Sequence, residues 1–98
     1  MERSELRTIV EAIYVLEDIH KRRLSSNDEY DMSELSAQFP QYDMETLKEI
    51  VRDYNYIWRE FNHKCFEWSM DEDQTGIECP YHLSTNDIVY ELYRIINK

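Results

Sequence analysis

Between Glu45 and Trp68 the apolar and acidic residues separate by angle. On a helix turning about 100° per residue, Leu47, Ile50, Val51, Tyr54, Ile57, Trp58, Phe61, Cys65 and Trp68 fall within an arc of roughly 120°. Glu45, Glu49, Asp53, Glu60 and Glu67 fall within roughly 80° on the opposite face. Such a segment is a long amphipathic helix that must bury one side. Asp43 is a good N-cap just before it. The pattern predicts a helix over 44–68, nearly 40 Å long at about 1.5 Å per residue. A chain that contains it needs other apolar helical faces to cover it.

Three more helical segments supply those faces. Over 4–24, Leu6, Ile9, Val10, Ile13, Leu16, His20 and Leu24 share one side, and Thr8, Ala12, Val15 and Ile19 form a second seam nearly opposite. A helix apolar on two sides is central in its fold or contacts a second chain, so a homodimer through this helix is an expectation. Lys21, Arg22 and Arg23 would sit in its last turn, where cations suit the negative end of the helix dipole. A short helix is expected over 32–39, capped by Asp31, with Met32, Leu35 and Phe39 inward and Pro40 ending it. The last helix is expected over 85–97, capped by Ser84 or Thr85, with Ile88, Val89, Leu92, Tyr93, Ile95 and Ile96 as its apolar face. One glycine and two prolines in 98 residues leave few turn signals for a many-stranded sheet. The expected fold is mainly α: one domain over 1–98, a compact bundle of three to four helices.

A competing reading exists around 65–83. Phe66, Trp68 and Met70 alternate with Cys65, Glu67 and Ser69, and Ile77, Cys79, Tyr81 and Leu83 alternate beyond the turn-like Asp71–Gly76 stretch. That is the pattern of a β-hairpin with a loop of about six residues. The same region holds His63, Cys65, Cys79 and His82, the right donors for zinc. On a helix, His63 and Cys65 point roughly 160° apart. On strands, Cys79 and His82 have opposite parity. Neither conformation brings the four donors together without an irregularity, so no metal is expected. Cys65 is read instead as a small buried hydrophobe.

Catalytic signatures are absent from the sequence. No nucleophile elbow, P-loop, dinucleotide-binding glycine pattern or zinc-protease helix occurs. His20 with Glu17 one turn back is read as a core-edge hydrogen bond, and Asp71-Glu72-Asp73 does not fit the ligand spacing of an EF-hand. A non-enzyme without cofactor is expected. The N-terminus lacks the features of a signal peptide, no apolar run suffices to span a membrane, and two cysteines suit a reducing compartment, so a cytoplasmic location is expected.

The net charge of −10 is unevenly placed. From Leu24 to Leu47 there are six acids and no lysine or arginine, and from Cys65 to Tyr93 seven acids and again none. The rest of the chain has 8 acids against 11 bases, a balance of +3. Such acidity disfavours direct binding to nucleic acid or to anionic membranes and suits a basic protein partner. The candidate partner-binding residues are Asp28, Glu29, Asp31, Glu34, Asp43, Glu45, Glu49, Asp53, Glu60, Glu67, Asp71, Glu72 and Asp73. Glu45, Glu49 and Asp53 follow at i, i+4, so neighbours lie roughly 6 Å apart, close to the spacing of phosphates along a DNA strand. Lys48, Arg52 and Arg59 form a stripe beside them that neutralises part of this charge. Tyr30 and Tyr42, within the first acidic tract, add the rigid amphipathic surface that anchors interfaces.

In size, acidity and helical display of carboxylates, the whole chain resembles the small phage-encoded DNA-mimic inhibitors, anti-restriction proteins among them. The resemblance implies a cytosolic, often dimeric inhibitor that evades host defence by occupying the DNA site of a nuclease or other basic DNA-binding protein. A local resemblance covers 35–51: Leu35, Phe39-Pro40, Asp43, Leu47 and Ile50-Val51 look like the start of a CUE ubiquitin-binding domain. It implies an adaptor that contacts ubiquitin through Phe39, Pro40, Ile50 and Val51. The same segment also looks like a helix-turn-helix, but its second helix carries Asp43, Glu45, Glu49 and Asp53, which phosphates repel.

Overall fold

The computed structural model describes residues 1–70 and 83–97. It contains four helices: α1 (Arg3–His20), α2 (Glu29–Gln38), α3 (Met44–Ser69) and α4 (Thr85–Ile96), with no strand among the described residues. The mainly α bundle read from the sequence is the observed architecture. The first strand of the alternative hairpin is instead the last turn of α3, which runs to Ser69. The backbone keeps its i→i+4 bonds there, and Met70 N–H still donates to the Phe66 carbonyl. The rest of that stretch, with Cys79 and His82, lies outside the described residues.

The caps explain where the helices begin. Asp43 accepts from Thr46 N–H, and Ser84 and Asp87 form a reciprocal capping box at α4. At α2 the expected cap is corrected. Asp28, not Asp31, accepts from Tyr30 N–H and Asp31 N–H, so the helix starts at Glu29 rather than 32. At α1 the end is corrected. The helix stops at His20, not 24, because Lys21 takes a left-handed conformation with φ 57°. The three basic residues that follow therefore do not extend α1. Lys21 pairs with Asp18, Arg22 reaches Asp31, and Arg23 lies over the Trp58 ring.

The core joins every element. α1 packs against α4, α3 against α4 and α2, and α1 against α2. Leu6, Ile9, Val10, Ile13 and Leu16 of α1 belong to the same buried cluster as Leu47, Ile50, Val51, Tyr54 and Ile57 of α3. Met32 and Leu35 of α2, Ile88, Val89 and Leu92 of α4, and the linker residues Leu24 and Phe39 complete it. The expected apolar arc of α3 is thus fully used only as far as Ile57. Trp58, Phe61, Cys65 and Trp68 are half-buried. With 26 residues, α3 is longer than α2 or α4, so its far end has less to pack against. The second seam of α1 is uncovered: Val15 is 58% and Ile19 65% exposed. No helix among the described residues is long and apolar enough to cross a membrane.

Candidate functional site

Most of the carboxylates singled out in the sequence lie near two helix N-termini or along α3. The α1–α2 linker brings the start of α2 beside the first turns of α3. Asp28 and Glu29 from one, and Glu45 and Glu49 from the other, line a polar hollow of about 230 Å³. Lys48, Arg52, Ser26 and Asn27 complete its walls. Glu29, Glu45 and Glu49 are exposed, and Asp28 half-exposed. Four acids separated by up to 21 residues in the chain are therefore neighbours on one surface. Asp53 continues this line one turn along α3. Burial lifts its carboxyl above the usual range, and the negative charge of Glu49 adds to this, against a lowering by Arg52.

Glu60 and Glu67 are exposed farther along the same helix, and Glu67 lies 3.1 Å from His63 Nε2. Their charges are at the other end of α3 from the hollow. Asp43 is exposed, but its side chain is committed to capping α3 and is held below the usual carboxylate range by Thr46. Asp71, Glu72 and Asp73 lie outside the described residues.

Two of the candidate residues turn inward. Asp31 is fully buried. Its oxygens accept from Arg22 Nη1 and Nη2 at 2.7 and 2.8 Å and from Ser25 N–H at 3.0 Å. The Arg22 guanidinium holds its carboxyl below the usual range, against the opposing effect of burial. It fastens the linker and presents nothing to a partner. Glu34 is half-buried, 3.1 Å from His20 Nε2. The pairing expected for His20, with Glu17, is therefore corrected. Glu17 instead accepts from Tyr54 and from Leu24 N–H. Spacing of i−3 made Glu17 the natural partner, but the turn after α1 delivers α2 to the imidazole.

Of the two tyrosines in the first acidic tract, Tyr30 is exposed and stands edge-on to His20 at 5.8 Å. Tyr42 is half-buried, and its hydroxyl donates to Glu5. Hydrogen bonding to Glu34 and to Glu5, respectively, pushes each phenol above its ordinary pKa. Both remain neutral donors at physiological pH.

The residues for the other readings are also placed. Phe39, Ile50 and Val51, which the CUE resemblance implies as ubiquitin contacts, are inside the core. A surface contact through them would require the bundle to open. His63 is exposed and Cys65 half-buried on the same helix, as their angular separation requires. Among the described residues no group of three or more His, Cys, Asp or Glu side chains is arranged to hold a metal ion.

Compared with protein-family models, curated proteins and solved structures, the chain matches none.

Proposed function

We propose that the protein works by binding, as an acidic, non-enzymatic inhibitor that presents carboxylates to the basic surface of another protein. The observation that carries this is the convergence of Asp28 and Glu29 with Glu45 and Glu49 at one hollow. Asp53 supports it, because a half-buried carboxylate beside Glu49 is a charge kept at some cost in stability. The i, i+4 spacing of Glu45, Glu49 and Asp53 on a rigid helix suits lysines and arginines that otherwise grip phosphates. The partner class is a nuclease or other DNA-binding protein whose DNA site is occupied. Phage defence evasion in a host cytoplasm is the setting the DNA-mimic resemblance implies.

The test is capture from a host lysate at low and high salt, with wild type and with Glu45→Lys, Glu49→Lys, Asp53→Lys combined. A basic DNA-binding protein retained at low salt, lost at high salt and displaced by duplex DNA is the expected result. Equal retention by the triple variant sinks the acidic face as the binding surface.

A homodimer is part of the same proposal. Val15 and Ile19 are exposed on one seam of α1 with half-buried Ala12 between its turns. Pairing two such seams would remove the largest apolar side chains that α1 leaves in water.

A further inference from the structure

A second concavity adjoins the acidic hollow and has the opposite sign. It lies between the α1–α2 linker and the middle of α3 and encloses about 440 Å³. Arg23, Arg52 and Arg59 line it together with Asn55, Tyr56 and the linker residues 24–27, and none of its lining residues is acidic. In a chain with 21 acids and 11 bases, an arginine that forms no ion pair is unexpected, and Arg52 forms none although the acids of the hollow and Asp53 are near it. Arg7, Arg22 and Arg94 do meet carboxylates. Arg3, Arg23, Arg52 and Arg59 form no ion pair among the described residues; Arg3 lies over the Tyr90 and Tyr93 rings, and the other three share one groove.

Two of the three lie over aromatic rings. The Arg23 guanidinium lies 4.7 Å from the centre of the Trp58 ring, and that of Arg59 lies 5.6 Å from the centre of the Tyr56 ring. A cation–π contact favours a guanidinium over the ring face and still leaves it N–H groups to donate. The groove wall is also fastened. Asn55 Nδ2 donates to the Leu24 carbonyl at 2.8 Å, which ties the linker to α3. Like charges brought together on a braced concave surface favour an anion between them.

We propose that this groove binds a compact phosphoryl group, as inorganic phosphate or a small phosphate monoester, through Arg23, Arg52 and Arg59. Planar forks match the tetrahedral oxygens of phosphate in a way that point charges do not. The size of the anion follows from the neighbourhood. The groove shares Ser26, Asn27 and Arg52 with the acidic hollow. An extended polyanion leaving the groove on that side meets Asp28, Glu29, Glu45 and Glu49, whereas a single phosphoryl group does not reach them.

The test is NMR titration of ¹⁵N-labelled protein at constant ionic strength with inorganic phosphate, with phenyl phosphate and with chloride alone. Saturable shifts are expected for the side-chain Nε–Hε groups of the three arginines and for the amides of 24–27, with either phosphate probe. Phenyl phosphate that binds more tightly assigns the site to monoesters, and equal binding assigns it to the phosphoryl group alone. Arg52→Gln and Arg59→Gln are each expected to weaken binding about five- to tenfold, and Arg94→Gln to leave it unchanged. Arg52→Lys, which keeps the charge but loses the fork, is expected to weaken it as well. The proposal is overturned by linear, unsaturable shifts, by equal shifts with chloride, or by unchanged affinity in both glutamine variants. A single-stranded oligonucleotide that shifts the same groups at lower concentration than phosphate also overturns it. The outcome is separable from that of the acidic face, because Glu45, Glu49 and Asp53 line no part of this groove.

Discussion

The Tyr54 hydroxyl donates to Glu17 Oε1 at 2.9 Å, while Oε2 of the same carboxylate accepts from the Leu24 N–H at 3.2 Å. One glutamate therefore joins the middle of α3 to the chain leaving α1. Tyr54 is fully buried, and burial, with Glu17 adding to it, raises its phenol far above its ordinary pKa, so it remains a donor. Tyr54→Phe removes the donor and keeps the ring. It is expected to cost about 1 to 2 kcal/mol, read as a melting temperature lower by roughly 4 to 8 °C per kcal/mol. A melting curve indistinguishable from wild type shows that Glu17 finds water in its place.

The Arg22–Asp31 pair sets a pH dependence. The Asp31 carboxyl is held below its ordinary range in the folded protein, so the unfolded chain binds its proton more readily. Its stabilisation is complete above about pH 4, the unfolded value, and is lost as pH falls through the lower folded value. Arg22 is half-exposed, which limits the gain to about 2 kcal/mol at neutral pH. Asp31→Asn is expected to lower stability by that amount in urea unfolding at pH 7. The gap from wild type should narrow as the solution is acidified below about pH 4. A gap that widens on acidification contradicts the pairing.

Asp53 has the opposite sign. Its carboxyl is raised in the folded state, so the folded protein holds the proton more tightly. The charged form costs stability at neutral pH, and the cost disappears as pH falls below about 4. Asp53→Asn is expected to raise stability at pH 7 by less than about 1 kcal/mol and to change nothing at pH 3.5, measured by thermal melts. A loss of stability at pH 7 contradicts this account.

The exposed seam of α1 predicts an oligomeric state. Wild type is expected to elute as a dimer in size-exclusion chromatography with light scattering. Val15→Glu combined with Ile19→Glu is expected to be monomeric with an unchanged helical circular dichroism spectrum, because both side chains lie outside the core. A monomeric wild type at 100 µM removes the dimer from the proposal.

Elements with long, regular periodicity were legible in the chain. The α3 boundaries fall within a residue of those expected, because Asp43 caps the helix and the apolar residues keep one face for many turns. The α4 start follows from Ser84 for the same reason. The region around α2 is less legible. Asp31 has a capping residue's chemistry, but so does Asp28. Which one caps depends on Arg22 reaching back from the turn after α1, nine residues earlier. The extent of burial along α3 is not legible either, since periodicity shows which side is apolar and not how far neighbouring helices reach.

The candidate surface divides in the same way. That Glu45, Glu49 and Asp53 share a face follows from helical repeat alone. That Asp28 and Glu29 join them does not, nor does the approach of Arg23 to Arg52 and Arg59. Lys48, Arg52 and Arg59 read as a local counter-stripe to the acids, because nothing in spacing shows that a loop arginine comes to lie against it.

Local sequence determined the helices, the caps of α3 and α4 and which side of each helix is apolar, because these depend on residues within a turn or two. Tertiary structure alone decided the pairing of the linker with α2 and α3, the burial of Asp31 and the division of one surface into an acidic hollow and an arginine groove. Those outcomes require segments distant in the chain to meet, and the left-handed residue at Lys21 sets the direction in which the chain leaves α1 toward them.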